Sequence, residues 1–138
     1  MCSYLLDGTE RSPTPEQLIS QFEGAMTKLD GESAPLSVKI YTSGSFLDAV
    51  EVPLDARRHI LNKIAEDDRL VQVVLESRPE FVSEEAMSEI RSVLGARDIE
   101  IGIGLESSND DIRNICVNKD FSLSDFEGAK NIAKSHDI

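Results

Sequence analysis

Apolar residues along the chain alternate between two spacings. Leu18, Ile19, Phe22, Ala25, Met26 and Leu29 recur at helical intervals and form one stripe. Thr14 stands at the N-cap position, Pro15 at the first helical position and Gln17 where a capping box places an amide. Asp30-Gly31-Glu32-Ser33 ends this helix. Val38-Lys39-Ile40-Tyr41 then reads as a short β-branched strand running into the polar segment Thr42-Ser43-Gly44-Ser45. A second unit repeats the scheme. Pro53 to about Asp68 is helical, with Ile60, Leu61 and Ile64 inward. Leu70 to Leu75 is almost continuously apolar, the pattern of a parallel strand covered on both faces. Ser83 caps a helix carrying Ala86, Met87, Ile90 and Leu94, which Gly95 closes. A third strand is predicted over Ile99–Leu105. A short helix from Asn109 to about Cys116 follows, then a longer one from about Ser122 to Lys134 that buries Phe126, Ala129, Ile132 and Ala133.

The strand cores start near residues 38, 70 and 99, a period of about 30 residues and the size of a βα unit. Such alternation predicts an α/β fold with a parallel sheet in one domain spanning residues 1–138. A complete eight-unit barrel needs roughly 250 residues, so the choice lies between a small open sheet and a piece of a barrel. Composition narrows the function classes. No apolar run approaches a membrane span and no signal-peptide pattern opens the chain. Two cysteines, Cys2 and Cys116, exclude a disulfide framework and favour a cytoplasmic setting. The net charge of -12, from 26 acidic and 14 basic side chains, argues against a free-standing nucleic-acid binder.

All three predicted strands end in polar clusters: Thr42-Ser43-Gly44-Ser45, Glu76-Ser77-Arg78 and Glu106-Ser107-Ser108. In parallel α/β folds that edge is where ligands bind. Glu76 and Glu106 each follow directly on an apolar strand, where a carboxylate needs a partner or a ligand. Ser43 and Gly44 offer hydrogen bonds and close backbone approach. Two carboxylates beside the Arg78 guanidinium suit a small molecule carrying an amine or hydroxyls better than a triphosphate. There is no dinucleotide fingerprint or Walker A run, and Gly102-Ile103-Gly104 is read as lying within a strand. His59 and His136 are read as surface residues, and Cys116 as a buried helix residue.

Taken together, Cys2-Ser3-Tyr4, Tyr41-Thr42-Ser43-Gly44-Ser45-Phe46, Glu76-Ser77-Arg78-Pro79 and Gly102-Ile103-Gly104-Leu105-Glu106-Ser107 resemble the radical S-adenosylmethionine superfamily. The similarity is to the branch with the Elongator catalytic subunit and the methylthiotransferases. Thr42 to Asp48 and the Asn118-Lys119 stretch resemble the archaeal members of that superfamily in archaeosine biosynthesis. This resemblance implies a partial parallel βα barrel of TIM type, with about three strands and flanking helices, and an enzyme that cleaves S-adenosylmethionine at a 4Fe–4S cluster to a 5′-deoxyadenosyl radical for tRNA modification. It further implies tRNA as substrate and an electron-donor protein as partner. Cys2 would match the last cysteine of a CxxxCxxC cluster motif. Ser43, Gly44 and Ser45 would meet the cofactor's amino group, Glu76 its aminocarboxylate end and Glu106 its ribose, with Arg78 as a neighbour.

Two further cysteines of that motif belong upstream of Cys2, and the chain starts at Met1. The sequence is therefore read as a fragment, incomplete at both ends, that holds no cluster and is inactive alone. The catalytic residues stay unassigned. Exposed barrel edges imply self-association. Two other readings stand beside this one: a non-catalytic α/β interaction or regulatory domain, and an α/β enzyme using the strand-end carboxylates with a divalent metal.

Overall fold

A computed structural model describes residues 12–42 and 44–138. Four helices and three strands alternate: α1 (Pro15–Met26), β1 (Leu36–Ile40), α2 (Leu54–Glu66), β2 (Leu70–Glu76), α3 (Glu84–Leu94), β3 (Asp98–Gly102) and α4 (Leu123–Ser135). Short 3₁₀ turns cover Thr27–Leu29 and Pro79–Phe81, and a π-helical turn covers Ile112–Cys116. The helix starts follow from their caps. Thr14 and Gln17 form the expected capping box on α1, Ser83 accepts from the Ala86 N–H on α3, and Ser122 with Asp125 caps α4. Gly95, with φ +64°, stops α3 in a conformation that a side chain disfavours.

The sheet is parallel, in the order β1-β2-β3, and open. Its register sorts side chains onto two faces. Val38, Val73 and Ile99 align in one row, and Ile40, Leu75 and Ile101 in the next. These rows enter the hydrophobic core with Ile60, Leu61 and Ile64 of α2, Met87, Ile90 and Leu94 of α3, and Ala129 and Ala133 of α4. Each fully buried aliphatic side chain here contributes about 1.5–3 kcal/mol. On the other face the rows read Ser37-Gln72-Asp98 and Lys39-Val74-Glu100. Ser37 Oγ donates to Gln72 Oε1 at 2.9 Å, and Gln72 Nε2 donates to Asp98 at 3.1 Å and Glu100 at 2.8 Å.

β2 sends Val73 and Leu75 into the core and buries Val74 on the opposite face, while Val71, skipped at the register shift, is exposed. Two sequence expectations change. β3 ends at Gly102, paired with the last residue of β2, so Ile103, Gly104 and Leu105 leave the sheet where no neighbour continues to receive them. Cys116 is exposed, because the π-turn carries Arg113 inward in its place.

Arginines hold the N-terminal edge of the sheet. Arg97 donates to Ala65 O, Leu94 O and Leu70 O at 2.9, 3.1 and 2.8 Å. Arg69 reaches Leu29 O and Glu32 O, and Arg91 reaches Gly95 O and Arg97 O. These guanidinium groups satisfy carbonyls that helix ends leave open. The C-terminal edge, where the polar clusters lie, is built differently.

Candidate functional site at the strand ends

The exits of β1 and β2 are laced together. Glu76 is half-buried, and its Oε2 accepts the Thr42 backbone N–H at 2.9 Å. Its main-chain carbonyl accepts from Phe46 N at 2.9 Å, and Ser77 N donates to Gly102 O at 2.9 Å. The carboxylate that the sequence places at the strand end thus has one hydrogen-bond partner among the described residues and orients the departing loop. Thr42 Oγ1 is buried with no hydrogen-bond partner among the described residues.

Ser45 is buried and internally bonded. Its hydroxyl lies 2.9 Å from Ser77 Oγ and accepts from Leu47 N at 3.0 Å, while its N–H donates to Glu51 Oε2 at 2.9 Å. A Cβ on Gly44 would run into the Glu51 carboxylate, so glycine leaves room for that side chain to reach Ser45 N. Arg57, also buried, donates to Leu47 O at 2.7 Å and fixes the same loop to α2. Ser43 and Cys2 lie outside the described residues.

The third exit carries an ion pair. Glu106 is exposed, with φ +60°, and Lys119 Nζ lies 3.4 Å from its Oε1. Lys119 sits between Asn118 and Asp120, both left-handed at φ +60° and +58°. A side chain on Gly104 would meet Lys119 Nζ at 3.0 Å and Glu106 Oε1 at 3.1 Å, so glycine leaves room for the pair. Lys119 is the strand-end residue that strand patterning did not reveal. The signal available was the Asn-Lys-Asp turn, since Asn and Asp tolerate the left-handed region.

Arg78 does not join the two carboxylates. It pairs with Glu80, donates to Lys119 O at 2.8 Å and lies 5.8 Å above the Phe121 ring, tying segment 119–121 to the β2 exit. Arg113, fully buried, does the same from the other side. It donates to Phe121 O at 2.9 Å and Ser107 O at 2.7 Å, and pairs with Asp110. The Leu123 N–H, with Arg113 second, holds the Asp110 carboxyl below its ordinary range. His59 and His136 are half-buried surface residues paired with Glu23 and Glu84.

The described strand-end groups are therefore Gly44, Glu76, Gly102, Gly104, Glu106 and Lys119. They can present acceptors and one ammonium to a polar ligand, whereas Ser45 and Arg78 hold loops. Two cavities border this region. One of about 410 Å³ runs between α1 and β1 and is mainly apolar, with Tyr41 and Thr42 at its end. Another of about 600 Å³ lies between the Arg78–Val82 segment and the start of α4. Among the described residues no three His, Cys, Asp or Glu side chains come together as a metal site. The divalent-metal reading gains no ligand set from them.

No family model matches the chain, and no solved structure matches it. Three curated relatives do. An uncharacterized protein of Methanocaldococcus jannaschii is 44% identical over 141 residues, spanning 100% of this chain and 38% of that protein. Archaeosine synthase subunit beta of Methanosarcina acetivorans is 40% identical over 138 residues, spanning 100% of this chain and 40% of the relative. Archaeosine synthase subunit beta of Thermococcus kodakarensis is 36% identical over 132 residues, spanning 96% and 41%. The chain thus spans about two fifths of the length of the curated relatives it matches.

These findings correct the radical S-adenosylmethionine assignment, both as family and as enzyme class. No family model supports it, and the relatives carry the name of an archaeosine synthase subunit, not of that superfamily. Among the described residues Cys116 is the one cysteine, exposed on the π-turn, and no group of three His, Cys, Asp or Glu side chains gathers beside it. The electron-donor partner rested on the same resemblance and has no independent support.

Proposed function

We propose that this chain is a segment of an archaeal, intracellular tRNA-modification subunit, akin to archaeosine synthase subunit beta. The observation that carries this reading is the match at 40% and 36% identity to two proteins of that name, over 100% and 96% of the chain. The architecture fits a segment that works within a larger whole. Helices cover one face of a three-stranded sheet, the opposite face is polar apart from Val74, and among the described residues the outer edges of β1 and β3 are unpaired. Further parallel strands on those edges would extend it toward a partial barrel, with the strand ends gathered on one rim.

On that rim the segment binds a polar small molecule bearing an amine or hydroxyls, through Glu76 and Glu106. tRNA is the substrate of the whole subunit. This segment, with its net charge of -12, supplies scaffold and small-molecule contacts, not the phosphate-binding surface.

A segment exchange tests the proposal. The matching part of the Methanosarcina acetivorans subunit is replaced by this chain, and archaeosine in cellular tRNA is measured by nucleoside mass spectrometry. Retained archaeosine is expected, with a drop of roughly tenfold or more on adding Glu76→Gln, whose loss of charge weakens ligand binding. A soluble, folded exchange protein that forms no archaeosine overturns the reading.

A further inference from the structure

The exposed large apolar residues among those described are Tyr41, Val50, Leu54, Val71, Ile112, Ile115 and Val117. Three of the seven fall within six residues, on and just after the π-turn, and Ile115 is 80% exposed. The turn explains the concentration. Arg113 points inward and is fully buried, so its outer side presents Ile112, Ile115 and Cys116 to solvent. Apolar side chains left exposed together in so short a stretch suit a contact site.

Charge around the patch states the partner's chemistry. Asp111 and Asp120 flank it along the chain, are exposed and make no ion pair among the described residues. The two cations of the same stretch are engaged within the molecule, Arg113 with Asp110 and Lys119 with Glu106. The patch is therefore an apolar centre with an acidic border. It complements an apolar surface bordered by Lys and Arg and repels a polyphosphate chain.

We infer that the outer side of the Ile112–Cys116 turn is the docking surface for a companion protein subunit, through a basic-bordered apolar contact. This inference rests on the reading of the chain as part of a tRNA-modification subunit and deepens it by naming where a partner attaches.

Cys116 lies in the patch and reports on it directly. The full chain is treated with iodoacetamide while the companion subunit of Methanosarcina acetivorans archaeosine synthase is titrated in. Modification of Cys116 is followed by peptide mass, which separates it from Cys2. Saturating companion is expected to slow Cys116 alkylation roughly tenfold or more, as mass action requires when most sites are occupied. Protection should weaken as salt is raised, and Ile115→Glu should weaken binding by roughly tenfold or more, a typical effect for a central contact. Circular dichroism and a thermal melt confirm that the variant folds.

A companion that binds while Cys116 stays reactive overturns the inference and leaves the functional reading intact. Absence of any binding also overturns it, and the segment exchange then reports separately on the functional reading. Protection that depends on the chain's own concentration assigns the patch to a second copy. Protection in the exchange protein without companion assigns it to the rest of the same subunit. Either of these outcomes overturns the companion assignment.

Discussion

Arg113 shows how one side chain can organise the region beside a candidate site. Its guanidinium is fully buried, yet its partners are the Asp110 carboxylate and two main-chain carbonyls, Ser107 O and Phe121 O, with the Phe121 ring 5.1 Å away. Replacing it by methionine keeps much of the volume and removes every donor. The carbonyls then stay buried without partners, and Asp110 loses its counter-charge. Arg113→Met is expected to lower unfolding free energy by about 2–4 kcal/mol, read from urea denaturation. Asp110 adds a pH dependence of definite sign. Its folded carboxyl titrates below the unfolded one, because it accepts from Leu123 N–H and from Arg113. Its stabilisation is thus complete above the unfolded pKa, near 4, and is lost as pH falls through the lower folded value. Asp67, held by Arg69, and Asp125, held by the Ser122 N–H and hydroxyl, act in the same direction. Asp110→Asn should therefore flatten part of the acid limb of a stability–pH curve and leave the neutral region nearly flat. An unchanged acid limb counts against this account of Asp110.

At the level of elements, what the sequence made legible was what neighbours along the chain decide. Caps at Thr14 and Ser83, the helix start near Ser122, the stop at Gly95 and the periodicities of α2, α3 and β2 all depend on residues within one or two turns. What it hid depends on distant partners. Alternation continues through Ile103–Leu105, but β3 stops where β2 stops. The Ile112–Cys116 spacing resembles an ordinary helix, but a buried guanidinium widens it and turns Cys116 outward. Glu76 stands at its strand end as expected, whereas Arg78 turns away to its near neighbour Glu80 and to Lys119 O and Phe121, which lie more than forty positions along. Docking also separates helices with equally good caps. α3 buries Met87, Ile90 and Leu94, while α1 buries no residue fully and borders the cavity along β1. Ser83→Ala and Thr14→Ala should each cost their helix about 1 kcal/mol. The first should lower global stability in a urea melt. The second should appear mainly as faster amide exchange confined to the first turns of α1, since a loosely docked helix opens locally.

For the whole molecule the deciding quantity is charge. Fourteen cations face twenty-six anions, and several of the cations are spent on protein acceptors. Arg69, Arg91 and Arg97 cap carbonyls at the N-terminal edge, Arg57 and Arg113 are buried, and Lys119 is paired. A tRNA approaching this surface meets net repulsion, and no counterion release compensates where few cations are free to meet phosphates. The chain by itself is therefore expected to bind tRNA more weakly than about 10⁻⁴ M at physiological salt, with almost no change as salt is lowered. A fluorescence titration with labelled tRNA at two ionic strengths measures both quantities. Micromolar binding that strengthens steeply at low salt would place a phosphate-binding strip on this segment and remove the division of labour proposed for it. Weak, salt-independent binding by the chain, together with tight, salt-sensitive binding by the exchange protein, assigns the tRNA contacts to the rest of the subunit and leaves the acidic segment free to meet a basic protein partner.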